Sequence, residues 1–176
     1  MEKEQAKIIE ALKFAIQMEI DGKNFYQKSE KSSSTKLGRE LFQWLAGEED
    51  KHRQRFEQIY QSIKKNEAWP DVVVQPARSD KLKTIFSGAK ASGTPQTDEQ
   101  SAELKAIARA MEMENKSQEF YQGQGEGATH PAERTFFNSL AAEEHGHYLA
   151  LVDYREYLID PAGWFSKAEH HSLDGA

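Results

Sequence analysis

The chain has 176 residues, a formal net charge of −6 and a mean hydropathy of −0.82, and its 38% apolar and 30% charged residues are typical of amphipathic helices in one domain. The sequence contains no cysteine, which excludes disulfides, zinc–thiolate sites, iron–sulfur clusters and a nucleophilic thiol. The negative charge argues against a nucleic-acid partner, and the absence of an apolar leader or of a long apolar run predicts a cytoplasmic protein with no membrane partner.

The first part of the sequence predicts a helical hairpin over residues 4–65. Core-type residues recur at alternating steps of four and three, as on the core-facing side of a coiled-coil-like helix. A Ser/Thr cluster at 32–35 ends the first helix (4–31) and caps the second (36–65). The core-facing positions are Ile8, Leu12, Ala15, Glu19, Gly22 and Tyr26, then Leu41, Leu45, Glu49, His52, Phe56, Ile59 and Ile63.

A second hairpin is predicted over residues 97–158, after a connection over 66–96 that is rich in Pro and Gly, with at most a short helix near 81–87. Thr97 and Gln100 offer a capping box for its first helix, which ends at the glycines of 123–127, and Thr129 with Pro131 opens the next. Pro161 is expected to stop that helix, and the tail over 159–176 to fold back on the bundle. The core-facing positions are Leu104, Ile107, Met111, Glu114, Gln118 and Tyr121, then Phe137, Leu140, Glu144, His147, Leu151, Tyr154 and Leu158.

Two helical hairpins joined by a long crossover predict an all-α fold, a four-helix bundle of ferritin-like topology. We expect residues 1–176 to form a single domain of this kind. A simple up-down bundle with a long loop is the alternative topology.

The two hairpins are related by an internal repeat with one offset of 95 residues. A single Glu-x-x-His match is weak evidence of any function. Two such matches at one offset, each with a Glu thirty residues upstream, are far less expected by chance. The recurring residues are Glu19, Tyr26, Glu48, Glu49 and His52 in the first hairpin, and Glu114, Tyr121, Glu143, Glu144 and His147 in the second.

Apart from Glu48 and Glu143, the recurring Glu and His residues, six in number, lie at core-facing positions and, counted from the helix ends at about 1.5 Å per residue, at one level of the bundle. Buried without partners, four carboxylates and two imidazoles would cost several kcal/mol or more. Solvated surface positions or ion pairs with Lys or Arg are the alternatives, but no Lys or Arg lies at the neighbouring core-facing positions. The predicted metal ligands are Glu19, Glu49, His52, Glu114, Glu144 and His147.

The ligand chemistry indicates the metal. Carboxylate oxygens and imidazole nitrogens without sulfur favour iron or manganese, and four carboxylates balance the charge of two divalent ions. The set matches the known pattern of di-iron and di-manganese bundles, with one Glu from each of two helices and a Glu-x-x-His from each of the others. Glu48 and Glu143 are rival ligands, but the heptad places them outward, either in solvent or behind the ligands.

With these motifs the sequence resembles the rubrerythrin family of ferritin-like proteins over nearly the whole chain. The resemblance implies two Fe ions per chain (Mn or Zn being possible) and reduction of hydrogen peroxide in oxidative-stress defence, with ferroxidase and iron-storage relatives. It also implies that Tyr26 and Tyr121 place hydroxyls behind the ligand carboxylates, core packing being the alternative. The matching segments are Met18-Glu19, Phe25-Tyr26, Glu48-Glu49-Asp50-Lys51-His52, Met113-Glu114, Phe120-Tyr121 and Glu143-Glu144-His145-Gly146-His147.

Two departures from the family are visible. Rubrerythrins typically carry a rubredoxin domain with four Cys, whereas this sequence has none, so electrons would come from a separate donor protein or from incoming Fe²⁺. The family also has an extra carboxylate three residues after the third-helix Glu, where this chain has Ser117, which puts a redox-linked shift of one iron in doubt.

Three functions follow from the sequence: a peroxidase or oxidase that uses hydrogen peroxide or dioxygen, a ferroxidase or iron-storage protein, and a metal-free helical interaction module. Trp69 and Trp164 lie outside the core-facing positions, and we expect them to be exposed and to contribute to a homodimer, with exchange of hairpins across the 66–96 crossover as an open alternative. The remaining histidines are predicted to be solvated: His130, His145, His170 and His171.

Overall fold

The computed structural model describes residues 2–65, 67–70, 79–88, 98–167 and 170–173. That part of the chain is helical and contains no strand, so the predicted all-α fold is confirmed. None of its helices is both long and apolar enough to cross a membrane. The helices are α1 (Glu2–Ser32), α2 (Lys36–Lys64), α3 (Ser79–Ser87), α4 (Asp98–Gly127), α5 (Pro131–Ile159) and α6 (Pro161–Ser166).

Two helical hairpins make the bundle. α1 packs along α2, α4 packs along α5, and the hairpins meet through α1 with α4 and α2 with α5. The connection from α2 to α4 contains α3, which packs on α2, and much of the predicted crossover over 66–96 lies outside the described residues. The proposed capping residue Thr97 lies outside the described residues.

The apolar core forms two clusters at different levels of the bundle. One contains Tyr26, Leu41, Leu45, Ile107, Leu151 and Tyr154, and the other contains Leu12, Phe56, Ile59, Tyr121, Phe137 and Leu140. Each fully buried side chain of this size stabilises the fold by about 1.5–3 kcal/mol. On every long helix the buried Glu and His residues of the internal repeat lie between a residue of one cluster and a residue of the other, whereas the buried Glu103 and Glu133 lie outside this layer. The apolar clusters therefore enclose one polar layer.

A second buried carboxylate joins the hairpins near the α1–α2 turn. Glu103 on α4 accepts hydrogen bonds from Tyr154 Oη at 2.5 Å, from Ser34 N at 3.2 Å and from the Ser33 hydroxyl. Thr35 caps α2 by accepting from Gly38 N at 2.8 Å. These neutral donors stabilise the Glu103 charge, so this carboxylate is part of the scaffold.

The start of α5 differs from the sequence prediction, whereas α5 ends at Ile159, before Pro161, as predicted. His130, and not Thr129, caps α5, and Pro131 takes the first helical position. Pro161 begins α6, which Asp160 caps by accepting from Gly163 N at 2.9 Å.

The prediction that Trp164 is exposed in an irregular segment is wrong. Trp164 lies in α6, is 4% exposed and stacks on Phe86 of α3 at 5.3 Å between ring centroids. Trp69 is half-buried and contacts Phe136 at 5.9 Å. Both rings pack within the chain, so neither supports the expected homodimer.

Candidate metal centre

The six predicted ligands all lie in the polar layer between the apolar clusters. Their residue exposures range from 0% to 5%, so the alternative of solvated surface positions is wrong. Each hairpin provides one Glu from its first helix and a Glu-x-x-His from its second. They are Glu19 on α1, Glu49 and His52 on α2, Glu114 on α4, and Glu144 and His147 on α5.

The structure brings these side chains together in two adjacent groups that could each hold a metal ion. One group consists of Glu19, Glu49 and His52, and the other of Glu49, Glu114, Glu144 and His147. Within each group the ligand atoms lie within 4.8 Å of one another. Glu49 belongs to both groups, as expected of a carboxylate placed between two ions.

The imidazole Nδ1 atoms face the carboxylates. His52 Nδ1 lies 3.0 Å from Glu144 Oε1 and 3.4 Å from Glu19 Oε2. His147 Nδ1 lies 3.2 Å from Glu144 Oε2. The two rings stack with centroids 5.5 Å apart. Both histidines therefore direct the same nitrogen toward the centre.

A glycine on α1 makes room for the shared carboxylate. A Cβ placed on Gly22 would lie 3.0 Å from Glu49 Oε2, closer than ordinary van der Waals contact. The absence of a side chain at Gly22 allows Glu49 to lie against α1, between Glu19 and the second hairpin.

Two buried tyrosines hydrogen-bond the ligand carboxylates across the hairpins. The hydroxyl of Tyr26 on α1 donates to Glu114 on α4, and the hydroxyl of Tyr121 on α4 donates to Glu19 on α1. Burial, followed by the nearby carboxylates, raises the pKa of both phenols well above the usual value. Both therefore keep their protons at neutral pH.

The outer carboxylates Glu48 and Glu143 are buried, at 8% and 5% exposure, so the solvated alternative for this pair is wrong. Glu143 Oε2 lies 2.6 Å from His52 Nε2 and 3.1 Å from Arg55 Nη1. Glu48 instead pairs with Lys51 Nζ at 2.7 Å. Glu143 therefore lies behind the candidate ligand His52, which was the other alternative for this pair, but periodicity did not indicate its contact with Arg55.

The charges of the centre are poorly compensated by protein groups. Within the described part of the chain, the ion pairs of Glu19, Glu49, Glu114 and Glu144 are with the two histidines only. Burial and then Glu144 raise the pKa of Glu114 to about 8. Burial lowers the pKa of His147, but its contacts with Glu114 and Glu144 raise it to about 10. Without a cation, the site must therefore bind protons.

Several buried ligand atoms have no hydrogen bond in the described structure. They are Glu19 Oε2, His52 Nδ1 and Glu144 Oε1, and they lie together at the centre. Carboxylate oxygens and an imidazole nitrogen that face one another in a buried polar layer without a hydrogen bond fit a bound cation, and this combination of ligand atoms fits iron or manganese. The residues present thus fit a pair of divalent metal ions.

This fold and this group of side chains define a ferritin-like four-helix bundle with a buried carboxylate and histidine centre that can bind metal. The family model for rubrerythrin matches residues 10–153, which include all six candidate ligands and both tyrosines. The chain belongs to the rubrerythrin family. No curated protein and no solved structure matches it significantly.

Proposed function

We propose that the protein is a di-iron oxidoreductase of the rubrerythrin type, which reduces hydrogen peroxide with electrons from a separate donor protein. The observation that carries this proposal is the pair of adjacent buried ligand groups that share Glu49. Two metal positions side by side suit a substrate that takes up two electrons.

The proposed ligands divide between the two positions as the groups do. Glu19, Glu49 and His52 would hold one ion, and Glu49, Glu114, Glu144 and His147 the other. Four carboxylates neutralise two divalent ions, which would remove the unbalanced charge that burial otherwise imposes. Iron or manganese suits this oxygen and nitrogen ligand set better than zinc does.

Two ferrous ions bound there would supply one electron each, and hydrogen peroxide with two electrons and two protons gives two molecules of water. The chain's own residues prepare the site for this reaction. Tyr26 and Tyr121 orient the Glu114 and Glu19 carboxylates through their hydroxyl protons. The apolar clusters on both sides limit the access of bulk water to the polar layer.

The test is stopped-flow absorbance on anaerobic protein loaded with Fe²⁺. We expect oxidation to be faster with hydrogen peroxide than with dioxygen, and repeated turnover when an external reductant is present. Equal rates with dioxygen, together with many more than two irons oxidised and retained per chain, would instead establish a ferroxidase or storage protein.

The metal-free interaction module is tested separately. Elemental analysis of protein refolded with Fe²⁺ should find two metal ions per chain. A correctly folded protein without bound metal would leave only the interaction module.

A further inference from the structure

The two candidate histidines are supported differently. His52 Nε2 lies 2.6 Å from Glu143 Oε2, a carboxylate that α5 of the other hairpin provides. The same oxygen lies 3.1 Å from Arg55 Nη1, so the guanidinium compensates the buried Glu143 charge. His52 is thus fixed by a chain of two contacts that reaches away from the centre.

The corresponding contact is missing at His147. His147 Nε2 is buried and has no hydrogen-bond partner within the described part of the chain. Glu48, which the repeat makes equivalent to Glu143, pairs with Lys51 on its own helix at 2.7 Å. The His147 ring instead meets the ring of Trp44 edge-on, with centroids 5.4 Å apart.

The sequence explains this difference. With the repeat offset of 95 residues, the position equivalent to Arg55 is Ala150, and the position equivalent to Lys51 is Gly146. The first hairpin has Arg55, which keeps Glu143 beside His52, whereas the second hairpin has no cation at the equivalent position. Glu48 has a lysine one turn further along its own helix, whereas Glu143 has a glycine there. The asymmetry comes from these two substitutions, because the ligands and the outer Glu pair are repeated in both halves.

The chemical consequence follows from how imidazole binds metals. A hydrogen bond from Nε2–H to a carboxylate fixes the tautomer, leaves the Nδ1 lone pair for the metal and makes that nitrogen more basic. His52 has this bond and points Nδ1 at Glu19 and Glu144. At His147 the contact is made instead by Nδ1, which lies 3.2 Å from Glu144 Oε2, and within the described structure no hydrogen bond at Nε2 favours the tautomer that leaves Nδ1 free for the metal.

We propose that the two metal positions bind metal with unequal strength. Glu143, oriented by Arg55, is a positioning residue that strengthens metal binding at His52, and no carboxylate in the described part of the chain has this role for His147. This inference rests on the proposed function in that both positions must bind metal. It goes further by assigning a role to Glu143 and Arg55 and by distinguishing the two positions.

The experiment is a Co²⁺ titration of metal-free protein, followed by the d–d absorbance of the bound ion. His147→Ala weakens the metal position at His147, so the Co²⁺ affinity that remains is that of the His52 position. His52→Ala in the same way leaves the affinity of the His147 position to be measured. In the His147→Ala background, Glu143→Gln should weaken Co²⁺ binding by roughly 10- to 100-fold, as loss of an outer partner typically does. In the His52→Ala background, the same change should leave the affinity as it was.

Glu48→Gln is the matched control, since Glu48 occupies the equivalent position in the repeat. It should not weaken Co²⁺ binding in the His52→Ala background. Arg55→Met provides a second variant that leaves every candidate ligand and Glu143 in place, and it should weaken the His52 position in the same direction. It decides the matter if Glu143→Gln does not fold.

Two results would overturn the inference: equal weakening of both positions by Glu143→Gln, or weakening of the His147 position by Glu48→Gln as large as that caused by Glu143→Gln at His52. Wild-type protein that folds but binds no Co²⁺ would instead contradict the proposed function. The two failures are therefore distinguishable.

Discussion

Glu49 contributes to both ligand groups, whereas Glu114 contributes to one. We therefore expect the Glu114→Ala variant to retain one metal ion per chain. In the Glu49→Ala variant we expect metal binding to be weakened or lost at both positions. The reason is that removing the shared carboxylate takes a ligand and a negative charge from each position. Elemental analysis after loading with Fe²⁺ and desalting measures the outcome. Two ions retained by Glu49→Ala would show that the carboxylate is not shared.

Metal binding should also depend on pH, because metal ions compete with protons for the same side chains. In the metal-free protein, burial and Glu144 raise the pKa of Glu114 to about 8. The contacts with Glu114 and Glu144 raise that of His147 to about 10, against the effect of its burial. Both groups carry protons at pH 7, and these protons must leave when the metal binds.

The expected result is an apparent affinity for Mn²⁺ that rises between pH 6 and pH 8, with protons released on binding. Isothermal titration calorimetry in two buffers of different ionisation enthalpy counts those protons. An identical heat in both buffers would mean that the ligands are already deprotonated before the metal arrives.

The sequence predicted most of the centre at this scale but not its outer contacts. Glu19 and His147 were found because a charged residue at a core-facing position conflicts with the helical pattern, and the conflict recurs at one offset. The environment of Glu143 was left open because the heptad predicts which side of a helix a residue faces, but not how close the neighbouring helix lies on that side. Its contact with Arg55 joins α5 to α2, and no periodicity within either helix encodes that contact.

At the scale of helices, α2 offers a matched pair of glycines. A Cβ at Gly38 would collide with the polar side chains of Tyr154, Ser33 and Glu103, whereas a Cβ at Gly47 would meet nothing within 4 Å. We expect Gly38→Ala to destabilise the protein by roughly 1–3 kcal/mol through overpacking. Gly47→Ala should stabilise it by roughly 0.5–1 kcal/mol, because alanine loses less backbone entropy in a helix.

Urea unfolding followed by circular dichroism measures both changes under the same conditions. Equal effects of the two substitutions would show that the close packing of Gly38 against Tyr154, Ser33 and Glu103 does not contribute to stability.

The sequence predicted which segments form the long helices, but it predicted the ends of these helices less well. The long helices follow from the apolar repeat, which extends over many turns. Pro161 was taken as a stop signal, yet the same residue is suited to a first helical position because it needs no N–H partner there. Asp160 completes that start by capping α6, and the new helix carries Trp164 into the core. Pro161 thus has both roles, since α5 ends before it and α6 begins at it, and the sequence prediction included only the first.

Across the whole molecule, the centre joins the two hairpins. Tyr26 reaches Glu114 and Tyr121 reaches Glu19, each from one hairpin to the other. We propose on this basis that residues 1–176 act as one domain, since neither hairpin completes the ligand set by itself.

We also expect a homodimer, since bundles of this kind commonly pair through symmetric helix faces. The buried Trp164 no longer contributes to this prediction, but Phe14 on α1 remains 56% exposed. Light scattering at micromolar concentration, repeated at several dilutions, gives the mass. A monomeric mass throughout would contradict the prediction.

The internal repeat has one more consequence. Two identical copies of the first hairpin, related by a two-fold axis, would bring together two residues each of Glu19, Glu49 and His52, the same ligand types as in the single chain. The two-fold symmetry would make the two halves of such an assembly identical, so an arginine beside one outer carboxylate would also lie beside the other. A covalently joined pair of hairpins is free of that constraint, and Arg55, whose equivalent in the repeat is Ala150, is a difference that a symmetric pair of identical hairpins cannot carry.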